Sequence, residues 1–316
     1  MNVNEINKKL RKLLALGDME VERLIKLGEK ELVSIYKKAL RSIKTEIAKM
    51  FERYGDSVNY SEMVKYNRLT NLEQTISKII KKLTGEVIKT SKVTIKSIFE
   101  ENYYRTGYAI ENSLALQLYF GLLDNNTIKA ALYNPMDRIK WPERLREHAR
   151  IYVRAIKQEL AQGLVEGKGY GEIAKRITEK SEITATKAIR IIRTEGHRVQ
   201  NASRIIALEK TEKAADNLGI KTERIWVATL DERTRSSHQK MDGQKARMIN
   251  GELQFRFPSG VTTIGPGLSG IAEEDINCRC SVITKLSNHP PKLRKDNVSK
   301  KLISYMNYEE WKKGLK

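Results

Sequence analysis

The distribution of proline constrains the fold of this chain more than any other feature of its sequence. All six prolines lie at or after position 135 (Pro135, Pro142, Pro258, Pro266, Pro290 and Pro291). Proline removes a backbone donor and clashes with the preceding helical turn, so it is a strong interruption of a helix. The first 134 residues contain no such interruption, which predicts long, continuous helices there.

Apolar residues follow a three–four spacing through this proline-free region. One stripe runs from Leu32 to Phe51 and a second from Met63 to Val87, each with basic residues on the opposite face. Such stripes are typical of helices that bury one side. We therefore expect two long antiparallel helices, followed by shorter helices at 95–120 and 124–134.

The helical pattern continues beyond Pro135 as far as residue 217. Trp141 and Pro142 start a helix that we carry to Val165, because proline is tolerated in a first helical turn. The glycine-rich run 167–171 predicts a flexible joint, followed by a small helix at 171–180. Thr184 is expected to cap a further long helix that reaches Asn217.

The periodicity changes after residue 221. Residues 224–229 are β-prone, Asp242-Gly243 signals a hairpin-type turn, and residues 253–257 alternate with period two. A Gly/Pro-rich loop precedes a closing strand at 279–283, and the tail is expected to end in one short helix with Tyr308 and Trp311. The sequence thus predicts a mostly α protein with a small C-terminal α+β module. We divide it into a long-helix region 1–134, a second helical region 135–220, the module 221–286 and a basic tail 287–316.

The chain is strongly basic, but its charge is uneven. Its 316 residues include 59 Lys and Arg against 39 Asp and Glu, which gives a formal net charge of +20. Residues 226–283 hold seven residues of each sign, residues 284–316 carry +6, and residues 1–225 carry the remaining +14. An excess of this size favours a polyanionic partner, nucleic acid first and an acidic protein surface second.

Three basic clusters suit phosphate contacts that read no base sequence. They lie on the polar sides of two helices and in the tail: Lys37, Lys38, Arg41 and Lys44; Lys78, Lys81, Lys82 and Lys89; and Lys292, Arg294, Lys295, Lys300 and Lys301. The alternatives are that the helix faces are merely solvated, and that the tail binds an acidic protein surface.

Several classes of function have no support in the sequence. It contains no P-loop, no dinucleotide-binding glycine pattern, no nucleophile elbow and no H-E-x-x-H pair. Two cysteines are too few for a disulfide scaffold, and no apolar run approaches the roughly 18 residues of a membrane helix. The amino terminus has no secretion-signal pattern. We therefore expect a protein that is not an enzyme and has no membrane partner.

Both cysteines lie in one C-x-C motif, which is the best candidate for a metal site. Residues i and i+2 of a strand share a face, so Cys278 and Cys280 would present two thiolates together. With His238 they make three of the four ligands of a tetrahedral zinc ion, and Asp231, Asp242 or water could be the fourth. The alternatives are an ordinary strand beside a hydrogen-bonded histidine, and a catalytic His238–Asp231 pair of a metal-dependent nuclease.

Residues 140–285 contain several short motifs in a definite order. These are Arg193-Thr194-Glu195 on a long helix, Trp226, the run 229–238, the Asp242-Gly243 turn, a Gly/Pro loop and the terminal 277–280 Asn-Cys-Arg-Cys. In this order they resemble the Mu F-like phage head morphogenesis, or minor head protein, family. Some members of that family carry cysteine where this chain has Ser237 or its neighbours.

The resemblance implies a minor structural protein inside the head of a tailed phage. Its expected partners are the portal, capsid or scaffolding proteins and double-stranded DNA, bound without sequence preference. It would occupy the virion, and the host cytoplasm during assembly. The rival hypotheses are a metal-dependent nuclease or toxin-like enzyme carried in the phage head, and a host nucleic-acid-binding regulator.

The motif residues also suggest structural roles. Arg193, Glu195, Asp231 and Arg233 carry complementary charges that would suit one ion-paired network between the long helix and the β module. The alternatives are a solvated helix face and, for residues 231–235, a capped turn that serves only geometry. Asp242-Gly243 is expected to supply a tight turn.

Overall fold

The structure is a computed structural model of the chain. It describes residues 3–114, 118, 120, 123–217, 221–286, 293–295 and 302–304. The expected terminal helix with Tyr308 and Trp311 lies outside these ranges, as do Lys292, Lys300 and Lys301.

Helices make up most of the described chain. In chain order they are α1 (Val3–Tyr54), α2 (Tyr60–Val64), α3 (Arg68–Leu114), α4 (Asn125–Leu132), α5 (Trp141–Val165), α6 (Tyr170–Asn217), α7 (Ser236–Met241) and α8 (Ala272–Asp275). The predicted class, mostly α with a small C-terminal α+β module, is confirmed. No helix within the described ranges contains a segment long and apolar enough to cross a bilayer.

Three helices are longer than the sequence predicted. α1 begins at Val3 because Leu10, Leu14 and Val21 extend the buried stripe towards the amino terminus. The predicted division between the stripe that ends at Val87 and a separate helix at 95–120 is wrong. α3 runs through it, and buried apolar positions continue from Val87 to Ile95 and Ile98.

The predicted cap at Thr184 is also wrong. α6 is uninterrupted from Tyr170 to Asn217, so the small helix at 171–180 and the long helix after it are one element. The Thr184 hydroxyl donates to the carbonyl oxygen of Lys180, 2.8 Å away. This is the hydrogen bond of a threonine inside a helix rather than that of a cap.

The strands are short and antiparallel. They are β1 (Thr222–Val227), β2 (Arg247–Ile249), β3 (Glu252–Arg256), β4 (Thr262–Thr263), β5 (Ser281–Leu286), β6 (Leu293–Lys295) and β7 (Leu302–Ser304). β1 pairs with β5. A second sheet contains β2, β3 and β4 in that order, and β6 pairs with β7. Within the first pair, Trp226 lies opposite Val282.

The hairpin turn lies elsewhere than predicted. Asn250-Gly251 joins β2 to β3. Both residues have positive φ (50° and 83°), as a two-residue hairpin with a type I′ turn requires. Asp242-Gly243 instead follows α7, and the Gly243 N–H donates to the Trp226 carbonyl (2.9 Å). The chain then returns beside β1 through an isolated bridge between Ile225 and Lys245.

The chain divides into two compact units, each assembled from separate segments. The first comprises residues 1–25, 95–138 and 194–316. Its core joins apolar residues of α1, α3 and α6 to those of the β module, and both cysteines belong to it. The main contributors are Leu10, Leu14, Ile110, Leu208, Trp226, Met241, Phe255, Phe257 and Val282.

The second unit comprises residues 26–94 and 139–193 and contains only helices among its regular elements. α1, α3, α5 and α6 contribute fully buried side chains to it, including Ile43, Ile76, Ile156 and Ile177. α5 and α6 approach each other closely near the loop that joins them. A Cβ added to Gly163 would lie only 2.5 Å from Cγ1 of Ile173, so the glycine permits this approach.

Candidate metal centre

Three potential metal ligands converge in the first unit. His238 lies in α7, which begins nine residues after β1 ends, and Cys278 and Cys280 lie just before β5. All three side chains are buried, and their ligand atoms lie within 4.8 Å of one another. Nδ1 of His238 is 3.3 Å from Sγ of Cys280 and 3.6 Å from Sγ of Cys278.

The C-x-C segment reaches this position without being a strand. β5 begins only at Ser281, and Asn277 turns the chain with a left-handed conformation (φ 57°). α6 holds the segment from one side: Thr194 Oγ1 accepts from the Asn277 N–H (3.2 Å), and Asn201 Nδ2 donates to the Cys280 carbonyl (3.0 Å). The two thiols therefore lie together as expected, although the segment that carries them is not the strand that the sequence predicts.

The second ring nitrogen of His238 faces a carboxylate that the sequence analysis missed. Nε2 lies 3.0 Å from Oε2 of Glu274, which also accepts from the Ser237 hydroxyl (3.0 Å). The signal in the sequence was the acidic run Glu273-Glu274-Asp275 directly before the C-x-C motif. Because the motif was interpreted as a strand, that run was assigned no role.

Arg235 fastens the segment that carries Glu274, and it was missed as well. Its guanidinium donates to the carbonyl oxygens of Glu273 and Glu274 (2.7 Å each) and to that of Ile276. It also lies 3.4 Å from Nε2 of His238. The α7 segment and the α8 segment are thus held together by side-chain to backbone contacts around the histidine.

Neither aspartate proposed as a fourth ligand lies in the cluster. Asp231 binds the Arg279 guanidinium (Nη2–Oδ1 2.8 Å), and Asp242 Oδ1 accepts from the Ala228 N–H (2.8 Å). In the part of the chain that the structure describes, the converging group consists of His238 and the two cysteines. Among the three candidates for the fourth ligand, only water is left.

The cluster favours a thiolate at Cys280. Burial raises the pKa of this thiol, but hydrogen bonds with Cys278 and His238 outweigh it and hold the pKa well below the usual value. The contact with Cys280, together with burial, raises the pKa of Cys278 well above its usual value. Burial lowers the pKa of His238, yet its contacts with Cys280 and Glu274 leave that pKa raised.

Aromatic side chains enclose the cluster on another side. The Trp226 ring packs edge-on against His238 with centroids 5.7 Å apart, and the Phe257 ring lies 5.4 Å from His238. Trp226 is fully buried, so its part in the motif set is to build the core against which α7 packs.

The four charged residues expected in one network form several ion pairs, and one of these joins two of the four. Arg193 pairs with Glu29 of α1 (2.7 Å), whereas Glu195 pairs with Arg198 one helical turn further along α6 (2.6 Å). Arg233 is 82% exposed at its side chain and lies 3.7 Å from Asp231. Of the four, Asp231 and Arg233 thus pair with each other, while Arg193 and Glu195 pair with residues outside the motif set.

The described basic residues of the helices lie where the sequence predicts, on the solvent side. Lys37, Lys38 and Arg41 of α1 are exposed and Lys44 is half-buried, while Lys78, Lys81, Lys82 and Lys89 of α3 are exposed. An open groove between the two helices is lined by Lys38, Arg41, Thr75 and Ile79, among others. Arg294 and Lys295 lie in β6.

Comparison with known proteins places these features in context. The sequence profile described as phage Mu protein F like protein matches residues 154–283. The chain is 31% identical to the minor head protein GP7 of Bacillus phage SPP1 over 304 residues, covering 95% of this chain and 96% of that protein. No solved structure matches.

A second relative carries the name of an enzyme. The chain is 30% identical over 309 residues to the NAD(+)--arginine ADP-ribosyltransferase EFV of Enterococcus faecalis. That match covers 98% of this chain but only 61% of EFV, so more than a third of EFV has no counterpart here.

Proposed function

Because the chain belongs to the phage Mu F-like family of minor head proteins, we propose that it binds the portal or the inner capsid surface and contacts double-stranded DNA during head assembly, packaging or ejection. The observation that carries this proposal is the similarity to GP7 over nearly the whole of both proteins. A structural role in the phage head and a place in the virion follow from it directly. The specific partners, and the host cytoplasm as the site of assembly, are part of the proposal.

The DNA contact is assigned to the helices rather than to the β module. Basic residues cluster at 37–44 of α1 and 78–89 of α3, and residues 1–225 carry +14, whereas residues 226–283 are neutral. Flexible basic side chains along a helix suit phosphate oxygens and require no base geometry. The contact is therefore expected to be independent of DNA sequence.

An enzyme carried in the phage head is the second candidate, favoured by the similarity to EFV. Two observations favour the structural role over it. The chain spans 61% of EFV, so the similarity does not extend over the whole of the protein that carries the enzyme's name. His238 is 3% exposed and its carboxylate partner is Glu274 rather than the Asp231 expected of a nuclease pair, so a large substrate does not reach it in this conformation.

Assembly of particles in the presence and absence of the portal tests the proposed partners. Procapsids formed with the portal protein are expected to retain this protein through sedimentation in a density gradient. Retention that is the same without the portal would assign the binding site to the inner capsid surface instead. If the protein stays at the top of the gradient with both kinds of particle, the proposed function is wrong.

A further inference from the structure

We propose that His238, Cys278 and Cys280 bind a zinc ion, which ties α7 to the segment that precedes β5. The proposal rests on the geometry of these side chains and does not depend on the proposed function. The three ligands belong to segments 40 residues apart in the chain, and the small sheet β2-β3-β4 lies between them in sequence.

The distances between the ligand atoms agree with those around a tetrahedral zinc ion. With Zn–S of about 2.3 Å and Zn–N of about 2.0 Å, a tetrahedral angle separates nitrogen from sulfur by roughly 3.5 Å. Nδ1 of His238 lies 3.3 Å from Sγ of Cys280 and 3.6 Å from Sγ of Cys278. The imidazole nitrogen is thus already at the spacing from both sulfurs that a shared ion requires, and the three ligand atoms all lie within 4.8 Å of one another.

The chemistry of the ligand set selects the class of metal. Two sulfurs and one imidazole favour zinc, whereas magnesium and calcium require oxygen ligands. The converging group contains no carboxylate among the described residues, which argues against a hard cation. Three protein ligands leave one position of the tetrahedron to water.

Glu274 supplies the contact that orients the histidine. Metal-bound histidines commonly donate their second ring N–H to a carboxylate, which fixes the tautomer and the ring orientation. Here Oε2 of Glu274 lies 3.0 Å from Nε2 of His238, so Nδ1 is directed to the sulfurs. The Ser237 hydroxyl and the Arg235 guanidinium hold Glu274 and its backbone in place.

The surroundings shield the three ligands from solvent. His238, Cys278 and Cys280 are each at most 5% exposed and lie against Trp226 and Phe257. A simple hydrogen bond between imidazole and thiol would also give a short N···S distance. It involves one sulfur at a time, however, whereas both sulfurs here lie close to the same nitrogen.

Metal analysis of the full-length protein, purified without a polyhistidine tag and refolded with zinc, tests the proposal. We expect about one zinc per chain after desalting. Replacement by cobalt should give the thiolate-to-cobalt charge-transfer band and the strong visible bands of a tetrahedral site. C278S and C280S should each lose most of the bound metal, whereas H148Q, which removes a histidine outside the cluster, should keep it.

The proposal also predicts a graded effect for the outer carboxylate. E274Q should retain zinc but bind it about 10- to 100-fold more weakly in a chelator competition, because the histidine loses its charged partner. Wild-type protein that is folded by circular dichroism but holds less than about half an equivalent of zinc, with no cobalt charge-transfer band, would overturn the proposal. This result needs no variant, so it holds even if the cysteine variants fail to fold.

Discussion

At the scale of single residues, the buried charges show how differently neighbouring motif residues act. Glu195 and Arg198 are each 3% exposed at their side chains, and Arg198 also donates to the carbonyl oxygens of Ala131 and Leu132 at the end of α4. Arg193, two residues before Glu195, is 47% exposed at its side chain and pairs with Glu29. One short motif thus contains a buried ion pair and a surface ion pair.

We expect E195A to be strongly destabilising and R193A to be nearly neutral. E195A leaves a buried guanidinium without its carboxylate, a change that costs about 3–5 kcal/mol in the free energy of unfolding. R193A removes a pair whose arginine is 47% exposed at its side chain, and a surface pair of this kind is worth about 0–1 kcal/mol. Urea denaturation of the two variants measures both. Equal losses for the two variants would contradict the assignment of Glu195 to the core.

His148 is expected to make stability depend on pH. Burial and the nearby Lys187 lower its pKa from the usual 6.5, and its buried Nδ1 has no hydrogen-bond partner among the residues that the structure describes. The unfolded chain therefore binds a proton more readily than the folded one. The resulting stability is fully present above pH 6.5 and is lost as the pH falls through the folded pKa.

The H148Q variant isolates this effect. Between about pH 7 and pH 5 it should lose less of its unfolding free energy than wild type, because it has no imidazole to protonate. Chemical denaturation at several pH values provides the comparison. Parallel curves for the two proteins would show that His148 titrates alike in the folded and unfolded chains.

At the scale of elements, the sequence predicted helices well where one physical signal dominated. The absence of proline before Pro135 and the apolar stripes predicted long helices, and Trp141-Pro142 predicted the start of α5. The predicted break in α6 was wrong, because a threonine such as Thr184 can either cap a helix or donate a hydrogen bond within it. Only the packing of the neighbouring residues decides between the two. The site was predicted in part for a similar reason: Cys278, Cys280 and His238 carry distinctive chemistry, whereas Glu274 acquires its role only through the turn at Asn277.

The close approach of α5 and α6 gives a prediction at this scale. In G163A the new methyl group would meet the Ile173 side chain at 2.5 Å, so we expect a loss of about 1–3 kcal/mol in unfolding free energy. G171A is the matched control. Among the described residues, a Cβ at this position in the first turn of α6 meets nothing within 4 Å, and alanine should stabilise the protein by about 0.4–1 kcal/mol by reducing the conformational entropy of the unfolded chain. If G163A and G171A behave alike, the close contact is not formed in solution.

At the scale of the whole molecule, the uneven charge leads to a prediction for DNA binding. The logarithm of the affinity for duplex DNA should fall linearly with the logarithm of salt concentration, with no preference for sequence. K37Q/K38Q should reduce the slope by roughly 1 to 2, since each phosphate contact contributes about 0.9. K8Q/K12Q, which neutralises two exposed lysines elsewhere on α1, should leave it nearly unchanged. Equal reductions would indicate diffuse binding rather than a contact at residues 37–44.

The way the two units are assembled has a consequence for synthesis on the ribosome. Residues 1–25 pack in a unit that also needs residues 194–286, so this segment has to wait until those later residues have been synthesised. Contacts between such distant segments slow folding, because a long loop must close before they form. Until then, apolar side chains such as Leu10 and Leu14 remain uncovered, and the nascent chain is exposed to aggregation or capture by chaperones. For the same reason, no contiguous fragment contains the whole of the first unit without also including the second.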